Sequence, residues 1–177
     1  MERVIVLGRP GTGKTTLVAK VASAFPGRFR GFYTAEIRER GERTGFLIRT
    51  LSGKEGILAR TGVDTHLRVG RYGVFLEDLE TIGVRELQEA LTAGTPLLLD
   101  EVGKMEFCSV LFREWFFRVW EALPFLLVTS AFPPLREVEH LFEVAGAKKF
   151  LLRPQNREQL TQEILTLVDT FFRLHST

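Results

Sequence analysis

The passage from Val4 to Thr16 constrains this chain more than any other. Val4-Ile5-Val6-Leu7 is an uncharged aliphatic run, the pattern of a strand buried on both faces. It passes directly into Gly8-Arg9-Pro10-Gly11-Thr12-Gly13-Lys14-Thr15-Thr16. The spacing from Gly8 to Thr15 is G-x-x-x-x-G-K-[ST], a phosphate-cradling P-loop. Gly8, Gly11 and Gly13 permit backbone conformations that a Cβ would block, so that successive N–H groups can converge on an anion. Lys14 is then placed for the terminal phosphates and the Thr15 hydroxyl for Mg²⁺. Both stand at the positive end of the helix that Leu17, Val18, Val21 and Ala22 begin. A glycine-rich turn between an ordinary strand and an ordinary helix would leave Lys14-Thr15-Thr16 without a task.

The first helix is expected over Leu17 to Phe25, ended by Pro26-Gly27. From Arg30 the pattern changes to short alternating segments, Gly31 to Glu36, Thr44 to Leu51 and Gly56 to Arg60. The turn-like Arg40-Gly41-Glu42 and Ser52-Gly53-Lys54 separate them. That predicts an antiparallel meander, an insertion over about 30–60 that extends the sheet. Thr61 to Tyr72 reads as irregular, with Tyr72-Gly73-Val74 leading to a helix over Leu79 to Ala93 that Gly83 delays and Gly94 stops.

Pro96-Leu97-Leu98-Leu99 is a second fully apolar strand, and it ends in Asp100-Glu101. A buried strand finishing in Asp beside a P-loop supplies Mg²⁺ with a hard oxygen, the Walker B arrangement, so Thr15 and Asp100 are the candidate metal ligands. Glu101, one residue further, is the candidate for orienting or deprotonating the attacking water. Side chains alternate along a strand, so the chain must turn just there, and Val102-Gly103 is the expected turn. Asp100-Glu101-Val102-Gly103 also fits the D-x-x-G of switch GTPases, but no [NT]-K-x-D stretch follows to read guanine. Lys104 fits either a phosphate contact or a loop-lining role.

Beyond this motif, Leu111, Phe112, Trp115, Phe116, Val119, Trp120 and Leu123 share one helical face and predict core packing. Phe125 to Ser130 is a third apolar strand whose Thr129 and Ser130 fit either γ-phosphate sensing or a capped strand end. Pro133-Pro134 closes the loop after it. Lys149 to Leu152 is a fourth strand, and Asn156 to Leu174 a helix with Leu160, Ile164, Val168 and Phe171 inward. Asn156 and Gln159 have capping-box spacing. The loop also opens at the carboxyl end of a strand, where open α/β sheets bind ligands. Arg38, Arg43, Arg71, Arg153 and Arg157 are all candidates for transition-state charge.

Composition bounds the rest. With 177 residues, 45% apolar and 26% charged, the chain is expected to fold as one domain over 1–177. No apolar run reaches membrane-span length, and no leader precedes the first strand, so the cytoplasm is the expected location and no membrane the expected partner. A net charge of +2 without a Lys/Arg block gives no case for nucleic acid. Cys108 is the single cysteine, which excludes an internal disulfide and a cysteine metal cluster; a small, buried apolar role is expected for it.

Taken whole, the sequence resembles the THEP1 family of small nucleoside-triphosphatases, described in animals as cancer-related nucleoside-triphosphatases. The matching residues are the P-loop, Gly31-Phe32-Tyr33-Thr34-Ala35-Glu36 with Arg38, and Arg43-Thr44-Gly45-Phe46. Tyr72-Gly73-Val74, Asp100-Glu101-Val102-Gly103-Lys104-Met105-Glu106 and Asn156-Arg157 continue the match. Ala35 stands where the family pattern has an acidic residue, and the Glu39 to Glu42 loop is short. The resemblance implies slow, broad-specificity, Mg²⁺-dependent hydrolysis of ATP, GTP and other nucleoside triphosphates to the diphosphate.

The expected fold is a three-layer α/β P-loop domain, its mainly parallel sheet extended by the antiparallel insertion. Lys14 and Glu101 are the catalytic candidates. The nucleotide would contact Gly8 to Thr16, Asp100 to Lys104, Asn156 and Arg157. A monomer acting on Mg²⁺-bound triphosphates is expected. A small nucleotide kinase and a nucleotide-dependent switch or binding module are the alternatives.

Overall fold

The computed structural model describes residues 1–175, so Ser176 and Thr177, the last two of the expected span, lie outside the described residues. Nine strands form one sheet: β1 (Glu2–Gly8), β2 (Arg30–Glu39), β3 (Glu42–Thr50), β4 (Glu55–Arg60), β5 (Arg68–Val69), β6 (Tyr72–Val74), β7 (Leu97–Asp100), β8 (Phe125–Ala131) and β9 (Ala147–Leu151). Their order is β5-β6-β4-β3-β2-β7-β8-β1-β9. The pairs β2 with β7, β7 with β8, β8 with β1 and β1 with β9 are parallel. From β2 outward through β3, β4, β6 and β5 every pair is antiparallel.

The helices are α1 (Lys14–Ala24), α2 (Leu76–Asp78), α3 (Arg85–Ala93), α4 (Val110–Ala122), α5 (Arg136–Phe142) and α6 (Arg157–Leu174), with a widened π-helical turn at Leu79–Val84 before α3. Strand alternation splits the core into two layers. Val4, Val6, Leu98, Phe125 and Leu127 pack with Leu17 and Val21 of α1 and Ile164 and Val168 of α6. Ile5, Leu97, Leu99, Leu126 and Val128 face the other way, onto Leu87 of α3, Phe112 and Phe116 of α4 and Val138 of α5. The sheet is mixed, with four parallel and four antiparallel pairs, rather than mainly parallel as expected, because the insertion contributes as many pairings as the core. Helices on both faces of its parallel part make the three-layer α/β architecture that apolar strands alternating with helices imply. Among the described residues no helix is long and apolar enough to cross a membrane.

The antiparallel insertion is longer than the sequence suggests. Thr61 to Tyr72 is not wholly irregular, because β5 and β6 form a hairpin that pairs with β4 through Ala59 and Arg60. Strands of two and three residues carry almost no periodicity of their own and exist through pairing. The short helix α5 is also not apparent in the sequence, since only Val138 and Phe142 turn inward after Pro133-Pro134. On α4 the buried face comprises Phe112, Phe116, Val119 and Trp120. Leu111, expected inward, is 37% exposed. Cys108 is half-buried, and its thiol is pushed up by burial and then by Glu106.

Candidate active site

The loop between β1 and α1 folds back on itself. Thr12 Oγ1 donates to the Arg9 carbonyl at 2.8 Å. Lys14 Nζ donates to the Gly8 carbonyl at 2.8 Å and the Arg9 carbonyl at 3.3 Å. Gly13 caps α1 at φ 102°, a region that L side chains avoid. Arg157 lies against it, donating from Nε to the Thr12 carbonyl at 3.1 Å. Gly8 serves space instead, since a Cβ there would stand 2.5 Å from Thr12 Oγ1. The amides of the first helical turn lack intrahelical acceptors and open toward the loop.

The strand β7 delivers Asp100 to this turn. The side chain is buried, and its carboxylate accepts from Thr15 Oγ1 at 2.6 Å and from Thr129 Oγ1 at 2.5 Å. Burial pushes the Asp100 carboxyl up, against hydrogen bonds from Thr129, Thr15 and the Thr34 backbone and the charge of Lys14. Thr15 Oγ1 and Asp100 Oδ2 are thus adjacent hard oxygens, a donor pair that suits Mg²⁺. Among the described residues no group of three or more His, Cys, Asp or Glu could hold a metal by itself. Such a pair therefore fits an ion that keeps phosphate and water in the rest of its shell.

Glu101 turns into the same cleft, with Oε2 3.8 Å from Lys14 Nζ. Its side chain is 35% exposed. Desolvation by the cleft floor nonetheless raises its carboxyl, Lys14 opposing and Asp100 adding to the rise. The chain bends at Gly103 and turns through Lys104 and Met105, as expected, but Gly103 is not left-handed. Gly103 is a glycine for another reason: a Cβ would meet Glu101 Oε1 at 2.8 Å and Glu106 Oε2 at 3.1 Å. Its amide donates to Glu106 Oε2 at 3.1 Å. Glu106 is only 3% exposed, and its carboxyl is pushed up to about 8, first by burial and then by Glu101.

A cleft of about 830 Å³ runs from the P-loop to β3 and the β5–β6 hairpin. Pro10, Gly11, Gly13, Lys14, Thr15, Thr16, Glu101, Lys104 and Arg157 line it. Arg9 is exposed, while Gly8, Thr12, Asp100, Val102 and Gly103 are buried. From the insertion comes Arg43, which donates to Glu36 Oε1 and to the Tyr72 hydroxyl, each at 3.0 Å, and lies over the Phe46 ring. Against the effect of burial, Arg43 and Arg38 hold the Glu36 carboxyl below its usual range.

Three expectations need correction. Thr129 and Ser130 are not among the residues lining the P-loop cleft: both are fully buried, Thr129 bonded to Asp100 and Ser130 donating to the Val102 carbonyl at 2.8 Å. The Asn156 side chain caps nothing on α6. It accepts from the Arg153 amide at 2.8 Å and donates to the Leu151 carbonyl at 2.9 Å, which fixes the loop after β9 and leaves Asn156 outside the cleft lining. Glu106 and Thr129 are the site residues whose placement the sequence conceals. A lone carboxylate between Met105 and Phe107 is the one signal of a buried Glu106.

The family model described as NTPase matches residues 3–165. Nucleoside-triphosphatase THEP1 of Thermotoga petrophila is 44% identical over 163 residues, covering 92% of this chain and 90% of that protein. The human cancer-related nucleoside-triphosphatase is 34% identical over 186 residues, covering 96% and 97%. The crystal structure of THEP1 from the hyperthermophile Aquifex aeolicus superimposes with a TM-score of 0.82 at 33% identity, covering 93% of this chain and 98% of that one. With its P-loop, acidic strand end and β insertion spanning the aligned length, the chain belongs to the NTPase family that includes the THEP1 and cancer-related nucleoside-triphosphatases.

Proposed function

We propose that this protein hydrolyses the β–γ anhydride of Mg²⁺-bound nucleoside triphosphates, slowly and with little regard for the base. The observation that carries this reading is the convergence of Lys14, Thr15, Asp100 and Glu101 in one cleft, with Thr15 and Asp100 2.6 Å apart and Lys14 and Glu101 3.8 Å apart. Lys14 moves from the Gly8 and Arg9 carbonyls to the terminal phosphates, while first-turn amides hold the anion. Thr15 and Asp100 would hold Mg²⁺, which neutralises phosphate charge when bound. Glu101 orients a water and takes its proton as the oxygen bonds to the γ-phosphorus. The bond to the bridging oxygen breaks, and the diphosphate leaves with the electron pair.

The reading of slow turnover is supported by the arginines near the cleft. A guanidinium placed on the developing charge is worth about 10³ to 10⁵ in rate. Arg43 is engaged by Glu36 and Tyr72, and Arg157 by the Thr12 carbonyl. Broad base use is supported by the absence of a guanine-reading [NT]-K-x-D stretch. The same reading treats residues 1–177 as one nucleotide-binding unit acting as a monomer.

Phosphate release from ATP, measured with Mg²⁺ and with excess chelator, tests the reading. Release that depends on Mg²⁺ is expected. No release with Mg²⁺, or undiminished release in chelator, overturns it.

A further inference from the structure

The nucleotide cleft is not closed at Glu101. A second cavity of about 920 Å³, within the range of small-molecule sites, begins there. Thr34, Phe46, Val69, Glu101, Lys104 and Met105 line both spaces, so the two are continuous across the Glu101 carboxylate. No P-loop residue lines the second cavity. It therefore lies on the side of Glu101 away from the phosphate cradle, where a nucleophile other than water would approach a γ-phosphate held by Lys14.

The lining describes the ligand. Phe46, Leu58, Phe132, Pro133 and Pro134 give an apolar, partly aromatic wall suited to a flat ring. At the junction stand two carboxyl groups, Glu101 and the buried Glu106. An acceptor phosphate would be repelled by a carboxylate there, whereas a hydroxyl can donate to it. At the rim, Lys104 and Arg136 supply positive charge, with Glu137 beside them. Among the described residues neither Lys104 nor Arg136 forms a side-chain ion pair.

We propose that this second cavity seats an organic phosphoryl acceptor, a small aromatic alcohol carrying an anionic group, and that the protein transfers the γ-phosphoryl group to its hydroxyl. Hydrolysis is then the reaction of the same site when the cavity holds only water. The inference rests on the triphosphate cleft and on the role of Glu101 proposed above. In the transfer, the alcohol oxygen bonds to the γ-phosphorus and the bridging bond breaks with its electrons going to the diphosphate. The hydroxyl proton passes to Glu101. The products are a phosphate monoester and a nucleoside diphosphate.

The test uses 4-(hydroxymethyl)benzoate as the probe, a ring with a primary hydroxyl at one end and a carboxylate at the other. Protein, Mg²⁺·ATP and millimolar probe are followed by ³¹P NMR, with a sample lacking probe and one containing AMP instead. The phosphate monoester is expected in at least about a hundredfold excess over its share from random competition with bulk water. Phe132→Ala and Arg136→Ala, both at exposed positions, are expected to cut that share at least tenfold while phosphate release without probe stays within twofold. Monoester at the random share, or formed equally by both variants, overturns the proposal. So does conversion of AMP to ADP, which would make the cavity a nucleotide-kinase acceptor site. Monoester without any release in the probe-free sample upholds the acceptor site and sinks the hydrolase reading. Neither product sinks both.

Discussion

Thr15 Oγ1 donates a 2.6 Å hydrogen bond to Asp100 Oδ2, tying the first turn of α1 to the carboxyl end of β7 across 85 positions of sequence. Thr129 Oγ1 holds the other oxygen from β8. Three elements thus meet on one buried carboxylate, which burial pushes up in pKa. Such a group is maintained for what it binds, because a buried charge rarely gains stability over a neutral isostere.

Asp100→Asn separates the two roles. The amide keeps the shape, accepts from one of the two hydroxyls and no longer carries a buried charge. Thermal unfolding is expected to change by no more than about 1 kcal/mol in either direction. Mg²⁺-dependent phosphate release is expected to fall at least about 10²-fold, the loss of a hard anionic ligand in a site with few others. A loss of stability comparable to the loss of activity would make Asp100 a structural residue.

Lys14→Ala removes the cation that rests on the Gly8 and Arg9 carbonyls. A charge-assisted phosphate contact is worth roughly 1.5 to 3 kcal/mol, so triphosphate affinity or turnover is expected to drop at least about tenfold. Steady-state kinetics with ATP read this directly. Unchanged kcat/KM would place the phosphates elsewhere.

Base preference is expected to be weak. Measured kcat/KM for ATP, GTP, CTP and UTP is expected to lie within about two decades, roughly 2.7 kcal/mol of discrimination. A ratio near 10⁴ for one base would reveal a dedicated base pocket.

How much of this was legible in the chain depends on whether the signal is local. The parallel core reads directly, because Val4 to Leu7, Leu97 to Leu99 and Phe125 to Val128 are apolar runs whose burial needs no partner to be recognised. The P-loop reads directly because its spacing is its chemistry. The β5–β6 hairpin and α5 do not, since each exists through contacts with distant segments. The site divides the same way. Lys14, Thr15, Asp100 and Glu101 are named by motif, whereas Thr129 becomes a partner of Asp100 only through the β7–β8 register. Asn156 shows the reverse hazard: a capping-box spacing was present, but the Arg153 amide and Leu151 carbonyl claimed the side chain.

Glu101→Gln tests the proposed water activation. The amide cannot take a proton, and base catalysis typically contributes about 10² to 10⁴-fold. kcat is therefore expected to fall at least about 10²-fold, while the dissociation constant for a Mg²⁺-bound, non-hydrolysable triphosphate stays within roughly threefold. Collapse of binding together with turnover would make Glu101 a metal or structural ligand.

Glu106 makes a prediction about stability rather than catalysis. Its carboxyl is pushed up to about 8 in the folded protein, from 4.5 as the ordinary value, because burial first and then Glu101 and Asp100 oppose its charge. Between those values the folded state keeps a proton that the unfolded chain has released, so the contribution of Glu106 to stability is greatest below about pH 4.5 and falls as pH rises toward 8. Each proton so linked gives a slope of roughly 1.4 kcal/mol per pH unit, and a few kcal/mol over the window. Asp100 and Glu101 are shifted in the same direction and add slopes of the same sign, with Lys14 opposing both. The Glu106 contribution is therefore isolated only by difference. Glu106→Gln retains an oxygen for the Gly103 amide and cannot ionise. Denaturant unfolding from pH 5 to 8 is expected to show the variant gaining on the wild type as pH rises. Parallel curves would mean that Glu106 ionises in the folded protein as readily as in the unfolded chain.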